Sequence, residues 1–469
     1  MKKSRSVDVK PPVVDDGSFY AKHQKVYPRQ VSGLFASLRT TGVLVLLSLY
    51  YFVPWLKWDD RQAVLFDLPA RKFYVFGITF WPQDFFYLAM LLIIAGLALF
   101  FFTSLAGRLW CGYACPQTVW TEVFLWIERK VEGSRAKQIK LDKADWGRRK
   151  LRLKITKQSI WILFSLWTGF TFVGYFTPIT TLGQELVNLS TGPWETFWII
   201  FYSFATYGNA GWLREQVCIY MCPYARFQSA MFDRDTLIIS YDEQRGEPRG
   251  SRKKGSDPAI QGIGDCIDCT LCVQVCPTGI DIRDGLQYEC IGCAACIDVC
   301  NTVMEQMDYK MGLIRYTTEN TLNGKRTHVL RPRIIIYATL LTGLTVLLLY
   351  MILTRSPLEL DIMRDRNTLY RELPGGLVEN VYTLRVINKS EKERRFQLSV
   401  SGIEGLTLVS KQTLIPVAAG EVVELSASLR LDPVVLKRPS NKIQFILEST
   451  EGDPVKATQE SRFIGPVIR

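Results

Sequence analysis

A length of 469 residues would suit about three soluble domains, but a mean hydropathy of +0.07 and an aromatic content of 12% point toward a membrane. The net charge of +12 does not indicate nucleic acid, because Lys and Arg crowd into a few segments instead of spreading along the chain. All 12 cysteines lie before position 301, a distribution that argues against a disulfide scaffold and for metal or redox chemistry.

Residues 1–36 read as a cytoplasmic basic arm, with Lys2, Lys3, Arg5, Lys10, Lys22, Lys25 and Arg29, at most a patch that touches anionic lipid. Five uncharged apolar runs follow, each long enough to cross about 30 Å of hydrocarbon at about 1.5 Å per residue. They are 40–56, 85–107, 159–179, 196–213 and 334–354, and Trp or Tyr sits near several ends (Tyr50, Trp55, Trp81, Trp110, Trp194, Trp212). The first run begins too far from the N-terminus for a cleaved signal peptide, so it is expected to be a retained span. The basic segment 129–157 and the loop 178–194, which has no Lys or Arg, fix the expected orientation. The N-terminus and the basic loop are inside, and 178–194 is outside.

The four spans within 37–240 form a membrane domain with a weak internal repeat. Span two ends in "GRLWCGYACP" with Cys111 and Cys115, and span four ends in "GWLREQVCIYMCP" with Cys218 and Cys222. In a helix, positions i and i+4 share a face, so each pair can converge on one metal, while Pro116 and Pro223 end or kink the helix at the second cysteine. Soft thiolates there suit Cu(I), zinc or an iron–sulfur cluster. Met221 is a candidate auxiliary ligand or a packing residue. The two histidines, His23 and His328, lie outside the apolar spans and read as surface imidazoles, which excludes bis-His haem ligation in the bilayer.

Residues 241–262 are rich in Gly, Pro and Arg and read as a solvated linker. The segment 263–310 then carries eight cysteines in 35 residues. Cys266, Cys269 and Cys272 are spaced by two residues with Cys276 three further on; Cys290, Cys293, Cys296 and Cys300 repeat the pattern. Three thiolates so spaced wrap three corners of a cubane, and the fourth serves the other cluster. The spacing therefore assigns Cys266, Cys269, Cys272 and Cys300 to one 4Fe-4S cluster, and Cys276, Cys290, Cys293 and Cys296 to a second. Zinc ribbons use two C-x-x-C pairs, not two triplets each with an offset fourth. One departure is that Pro277 follows the first run while Asn301 follows the second. No nucleotide-binding glycine motif accompanies the run, so the electron donor is expected to be a separate, unidentified partner.

A connector, 311–333, leads to the fifth span. From 365 to 469, segments such as "VYTLRVIN" and "KIQFILES" alternate with period two in about seven short strands, which predicts a β-sandwich on the extracytoplasmic side.

This order of parts, with "WPQDFF", the two Cys-x-x-x-Cys-Pro boxes, "YDEQRGEPRG" and the double ferredoxin run, resembles the CcoG/FixG/RdxA family of cytochrome c oxidase accessory proteins across nearly the whole length. The resemblance implies a multi-domain bacterial inner-membrane protein with five transmembrane α-helices, a 2[4Fe-4S] ferredoxin module and an immunoglobulin-like all-β tail. It further implies reduction of Cu(II) to Cu(I) for assembly of a cbb(3)-type oxidase, with copper as substrate at Cys111, Cys115, Cys218 and Cys222. The implied partners are the lipid bilayer, a copper transporter or chaperone and the oxidase assembly machinery; a homodimer is compatible. Two alternatives stay open: a quinol-linked membrane ferredoxin subunit, and a non-enzymatic redox-sensing assembly scaffold.

Overall fold

Three helices among the described residues are long and apolar enough to cross a membrane: Leu34–Trp55, Pro82–Ala106 and Pro332–Leu353. They appear in the computed structural model of the chain, which describes residues 25–255, 262–365, 368–390, 392–410, 412–436, 438–450 and 454–466. Most of the N-terminal arm, His23 included, lies outside the described residues.

The other two expected spans are helical but not uniform. Helix Arg148–Val173 devotes its first three turns to cations, leaving the sixteen residues from 158 onward, about 24 Å, as its apolar part. It also stops earlier than the sequence suggests, because Gly174 caps it and Pro178 cannot continue a helix. Helix Pro193–Thr206 has fourteen α-helical residues and widens into a π-helix over Tyr207–Leu213.

Two compact units make up the chain. The first comprises Met1–Val53, Ala95–Gly174 and Ile179–Leu341. Its cysteine-rich lobe is built from the short helix Leu271–Val275, the helix Ala295–Gln306 and an antiparallel pair, Ile238–Tyr241 with Ile314–Thr317. Both strands lie at the margins of segments that read as linker and connector. Their apolar faces put Ile239, Tyr241 and Ile314 in one core with Ile282, Ala294, Ile297 and Met304.

The second unit comprises Pro54–Ile94, Tyr175–Pro178 and Thr342–Arg469. Residues 57–80 form small sheets the sequence reading missed, including the meander Val64–Asp67, Lys72–Val75 and Ile78–Phe80; strands of two to four residues are too short for a period to register. The C-terminal part is a two-sheet sandwich of five and four strands. It opens earlier than expected, with Leu358–Arg364 on the edge of Val378–Asn388. Alternation buries Tyr382, Leu384, Phe396, Phe445 and Phe463 between the sheets, and the Tyr382 and Phe445 rings meet edge to face at 5.1 Å.

Candidate iron–sulfur and membrane-end thiol site

The two halves of the cysteine-rich lobe repeat one local design 24 residues apart. Asp268 and Thr270 in the first half, and Gly292 and Ala294 in the second, take positive φ, coiling each C-x-x-C-x-x-C run into a tight loop. Helices Leu271–Val275 and Ala295–Gln306 start immediately after these loops; the first carries Cys272 and ends at Cys276, which is extended, and the second carries both Cys296 and Cys300. The helices turn the fourth cysteines across the lobe. Cys300 lines one cavity with Cys266, Cys269 and Cys272, and Cys276 lines another with Cys290, Cys293 and Cys296.

Apolar side chains wall both cavities, with Leu271, Val303 and Leu313 around the first and Ile239, Ile280 and Ile282 around the second. Burial pushes the Cys272, Cys293 and Cys300 thiols up to about 12 and Cys290 up to about 11. Backbone N–H groups oppose this: Val273 donates to Cys272, Gly292 to Cys290, Ala295 to Cys293 and Ile314 to Cys300. Guanidiniums stand beside each tetrad, Arg283 near Cys272 and Arg39 near Cys293. Four thiols in an apolar pocket, amide donors aimed at sulfur and a cation nearby are what a 4Fe-4S cluster requires of its protein, so the residues fit the group.

At the membrane ends the helical-face geometry expected for each box does not form. Helix Leu109–Tyr113 stops one residue after Gly112, and Cys115 is extended at the start of helix Pro116–Glu132. Cys218 lies in the π-helix Val217–Met221, and Cys222 is extended before helix Pro223–Met231. Pro116 and Pro223 open the new helices, and the cysteine before each is held out of the α region. The amides of Gln117 and Thr118 reach the Cys115 sulfur.

The two boxes nevertheless share one neighbourhood. Cys111 feels the charge of Cys115, Cys218 and Cys222, and its Sγ lies 3.3 Å from Gln228 Oε1, on the helix after the second box. Gln117 Nε2 donates to the carbonyls of Asn209 at 2.8 Å and Arg214 at 3.1 Å, tying the helix after the first box to the segment before the second. Burial pushes Cys111 and Cys218 up to about 12. Among the described residues no three His, Cys, Asp or Glu side chains stand close enough to hold one metal ion, so the four thiols are gathered but not closed into a single-ion site. Met221 is exposed, and His328 lies in an exposed loop where its backbone N–H donates to Asp235.

The first box rests directly on the loop of the second tetrad. A Cβ added to Gly112 would lie 2.8 Å from the Gly292 carbonyl oxygen and 3.0 Å from Cys293 Cα. Arg108, buried three residues before Cys111, donates to the carbonyls of Tyr288, Cys290 and Ala225 and to Ser229 Oγ. It therefore joins the first box, the helix after the second box and the cysteine loop. Tyr316 adds a 2.8 Å hydrogen bond to the Gly292 carbonyl. Sequence reasoning missed Arg108, Gly112 and Gln228; the one available signal is an arginine a few residues before each box, Arg108 and Arg214, at the end of an apolar run.

Comparison with known proteins finds iron–sulfur domains and relatives over most of the chain. Residues 213–319 match a 4Fe-4S dicluster domain, residues 88–134 a 4Fe-4S binding domain, and residues 348–466 the IG-like fold at the C-terminus of FixG. The chain is 43% identical over 427 residues to Protein RdxB of Cereibacter sphaeroides, covering 87% of this chain and 89% of that protein. It is 38% identical over 429 residues to the nitrogen fixation protein FixG of Rhizobium meliloti, covering 84% and 82%. A solved FixG-related protein from Vibrio parahaemolyticus is 40% identical over 23% of this chain and 96% of that one, with a TM-score of 0.22. The chain belongs to the FixG/RdxA family of iron–sulfur redox proteins.

Proposed function

We propose that the chain is a membrane-bound electron-transfer protein that reduces Cu(II) to Cu(I) for assembly of a cbb(3)-type cytochrome c oxidase. The observation that carries this reading is the contact of Gly112 with the Gly292 loop, which sets the first box against the loop of the second cysteine tetrad. In this reading Cys266, Cys269, Cys272 and Cys300 hold one 4Fe-4S cluster, and Cys276, Cys290, Cys293 and Cys296 the other. When bound, the clusters supply single electrons.

Cys111, Cys115, Cys218 and Cys222 receive copper as substrate. Cu(II) prefers nitrogen and oxygen donors while Cu(I) prefers sulfur, so these thiols favour the reduced product. Cys111 and Cys218 are protonated when empty, because burial raises them, and copper uptake displaces those protons. The product then passes to a copper transporter or chaperone. Replacing all four cysteines by Ala is expected to reduce copper reduction to background while the iron–sulfur absorbance persists. Copper reduction at the wild-type rate in that variant removes the thiols from the mechanism.

The five-span topology belongs to the same proposal. It places the N-terminus and the cysteine lobe in the cytoplasm and the sandwich outside a bacterial inner membrane. Support comes from the make-up of the second unit, which gathers the segment between the first two spans with the tail, two of the segments that five crossings leave on one side.

A second reading for the box thiols is a third cluster, favoured by the match of residues 88–134 to a 4Fe-4S binding domain. Anaerobic protein with about eight iron and eight sulfide per chain supports two clusters, and about twelve of each supports three.

A further inference from the structure

A cavity of about 520 Å³ lies where the N-terminal half of helix Leu34–Phe52 passes helix Pro116–Glu132 and the second cysteine tetrad. Along the first of these helices its lining runs from Arg39 and Thr40 to Val43 and Leu47, polar to apolar over about 12 Å of axial rise. The volume is that of a small-molecule site. Ile291, Cys293 and Ala295 line both this cavity and the one enclosed by Cys276, Cys290, Cys293 and Cys296. One layer of side chains therefore separates an occupant from the second tetrad.

Arg214 is the second observation that points to a ligand. It lines the cavity, is 7% exposed, and its Nη1 has no hydrogen-bond partner among the described residues. Its other donors are committed to the Gly211 carbonyl and Glu128. The backbone holds it at φ +47° in the break between two π-helical segments, a strained position for a residue with a side chain. The guanidinium faces Glu128 and lies over the Trp161 ring at 5.3 Å, and a buried, unpaired N–H is costly, so a modest turn of this side chain toward a ligand oxygen in the cavity would satisfy it. Arg29, Arg39, Arg129 and Arg214 outnumber Glu122 and Glu215 in a lining that also reaches the box thiol Cys218, a balance of charge that suits an oxygen gaining negative charge.

We propose that this cavity binds a membrane quinol as electron donor, with the ring at Arg214 and Cys293 and the tail along Val43 and Leu47 toward lipid. The site deepens the electron-transfer reading above and rests on it. Oxidation of the hydroquinone breaks two O–H bonds and releases two electrons and two protons. The electrons leave one at a time to the two 4Fe-4S clusters, each a one-electron oxidant. The protons pass to the Glu122 and Glu215 carboxylates and on to water.

The test uses full-length holoprotein in detergent and a photoreactive azido derivative of a short-tailed ubiquinone. Label is expected within residues 36–47 or 117–129, displaced by excess decylubiquinone, and decylubiquinol is expected to bleach the visible iron–sulfur band. Leu47→Trp and Thr121→Phe, which fill the cavity from two helices, should each weaken quinone binding and slow bleaching by about tenfold or more. Their iron and sulfide contents and their reduction by dithionite should match wild type; if either variant loses iron, the label position in wild type decides. Label elsewhere, label that decylubiquinone does not displace, a copurifying phospholipid that holds the cavity against quinone, or wild-type binding in both filled variants overturns the proposal. If quinol fails while dithionite-reduced protein still reduces Cu(II), the donor site is wrong and the copper reading stands. If quinol reduces the clusters and Cu(II) takes no electrons, the donor site stands and the copper reading fails.

Discussion

Gly112 is where a single hydrogen in place of a side chain sets the distance between the first box and the loop of the second cysteine tetrad. A Cβ there meets the backbone of Gly292 and Cys293, which cannot yield as a flexible side chain would. Gly112→Val is therefore expected to lift the first box off the cysteine loop. Iron and sulfide contents should stay at wild-type levels while copper reduction falls by about tenfold or more. Gly96→Ala serves as the control, because nothing lies within 4 Å of a Cβ at that position. A Gly112→Val protein that reduces copper as fast as Gly96→Ala would show that the close approach has no role in electron transfer.

Among the elements, the basic segment 129–157, which the sequence offers as a marker of orientation, also supplies cations to a buried ion network. Helices Pro116–Glu132, Arg135–Lys143 and Arg148–Val173 enclose a network in which Glu128 meets Lys157 at 3.1 Å and Arg214 at 2.9 Å, and Glu132 meets Lys154 and Lys157 at 2.9 Å. Burial alone would raise the Glu128 carboxyl, but Arg214, Lys157 and Lys25 overcome it and hold the group at about 2. Removing the carboxylate leaves the buried Arg214 without its partner and Lys157 with Glu132 alone, so Glu128→Ala is expected to cost about 3–5 kcal/mol, read as a lower unfolding temperature in detergent. A depressed carboxylate pKa stabilises the fold fully above its unfolded value of 4.5, and that stability is lost as pH falls toward 2. Wild type should accordingly lose thermal stability between about pH 4.5 and pH 2, and Glu128→Ala should lose less over the same range. Equal acid sensitivity in the two proteins would show that Glu128 does not carry the effect. Because Arg214 also lines the proposed donor cavity, this network positions one of its lining residues as well as three helices.

For the whole molecule, the proposed five crossings make a statement about sidedness. Protease added to spheroplasts is expected to remove the sandwich of Leu358–Ile464 and to leave a membrane-bound fragment that keeps the cysteine run. Protection of the sandwich from outside, or cleavage between Cys266 and Cys300, would invert or abolish that topology. The helix Arg148–Val173 is the crossing most open to this test, because its apolar part, about 24 Å, is shorter than a full hydrocarbon core.

What the sequence determined by itself are the features that repeat at short intervals. The ligand spacing of the eight cysteines, three long apolar helices, the period-two tail and the helix breaks at Pro116 and Pro223 all depend on residues within a turn or two of each other. Their backbone preferences and hydrophobic periodicity act locally, so they are legible before any fold is known. The tertiary structure alone decided that Cys111 and Gln228 meet across more than a hundred residues, that Arg108 links both boxes to the cysteine loop, and that Arg214 is buried with a donor to spare. It also replaced the shared helical face expected of each Cys-x-x-x-Cys pair with extended second cysteines. The reason is physical: a contact between distant residues follows from how whole helices pack, and no window of sequence holds both partners.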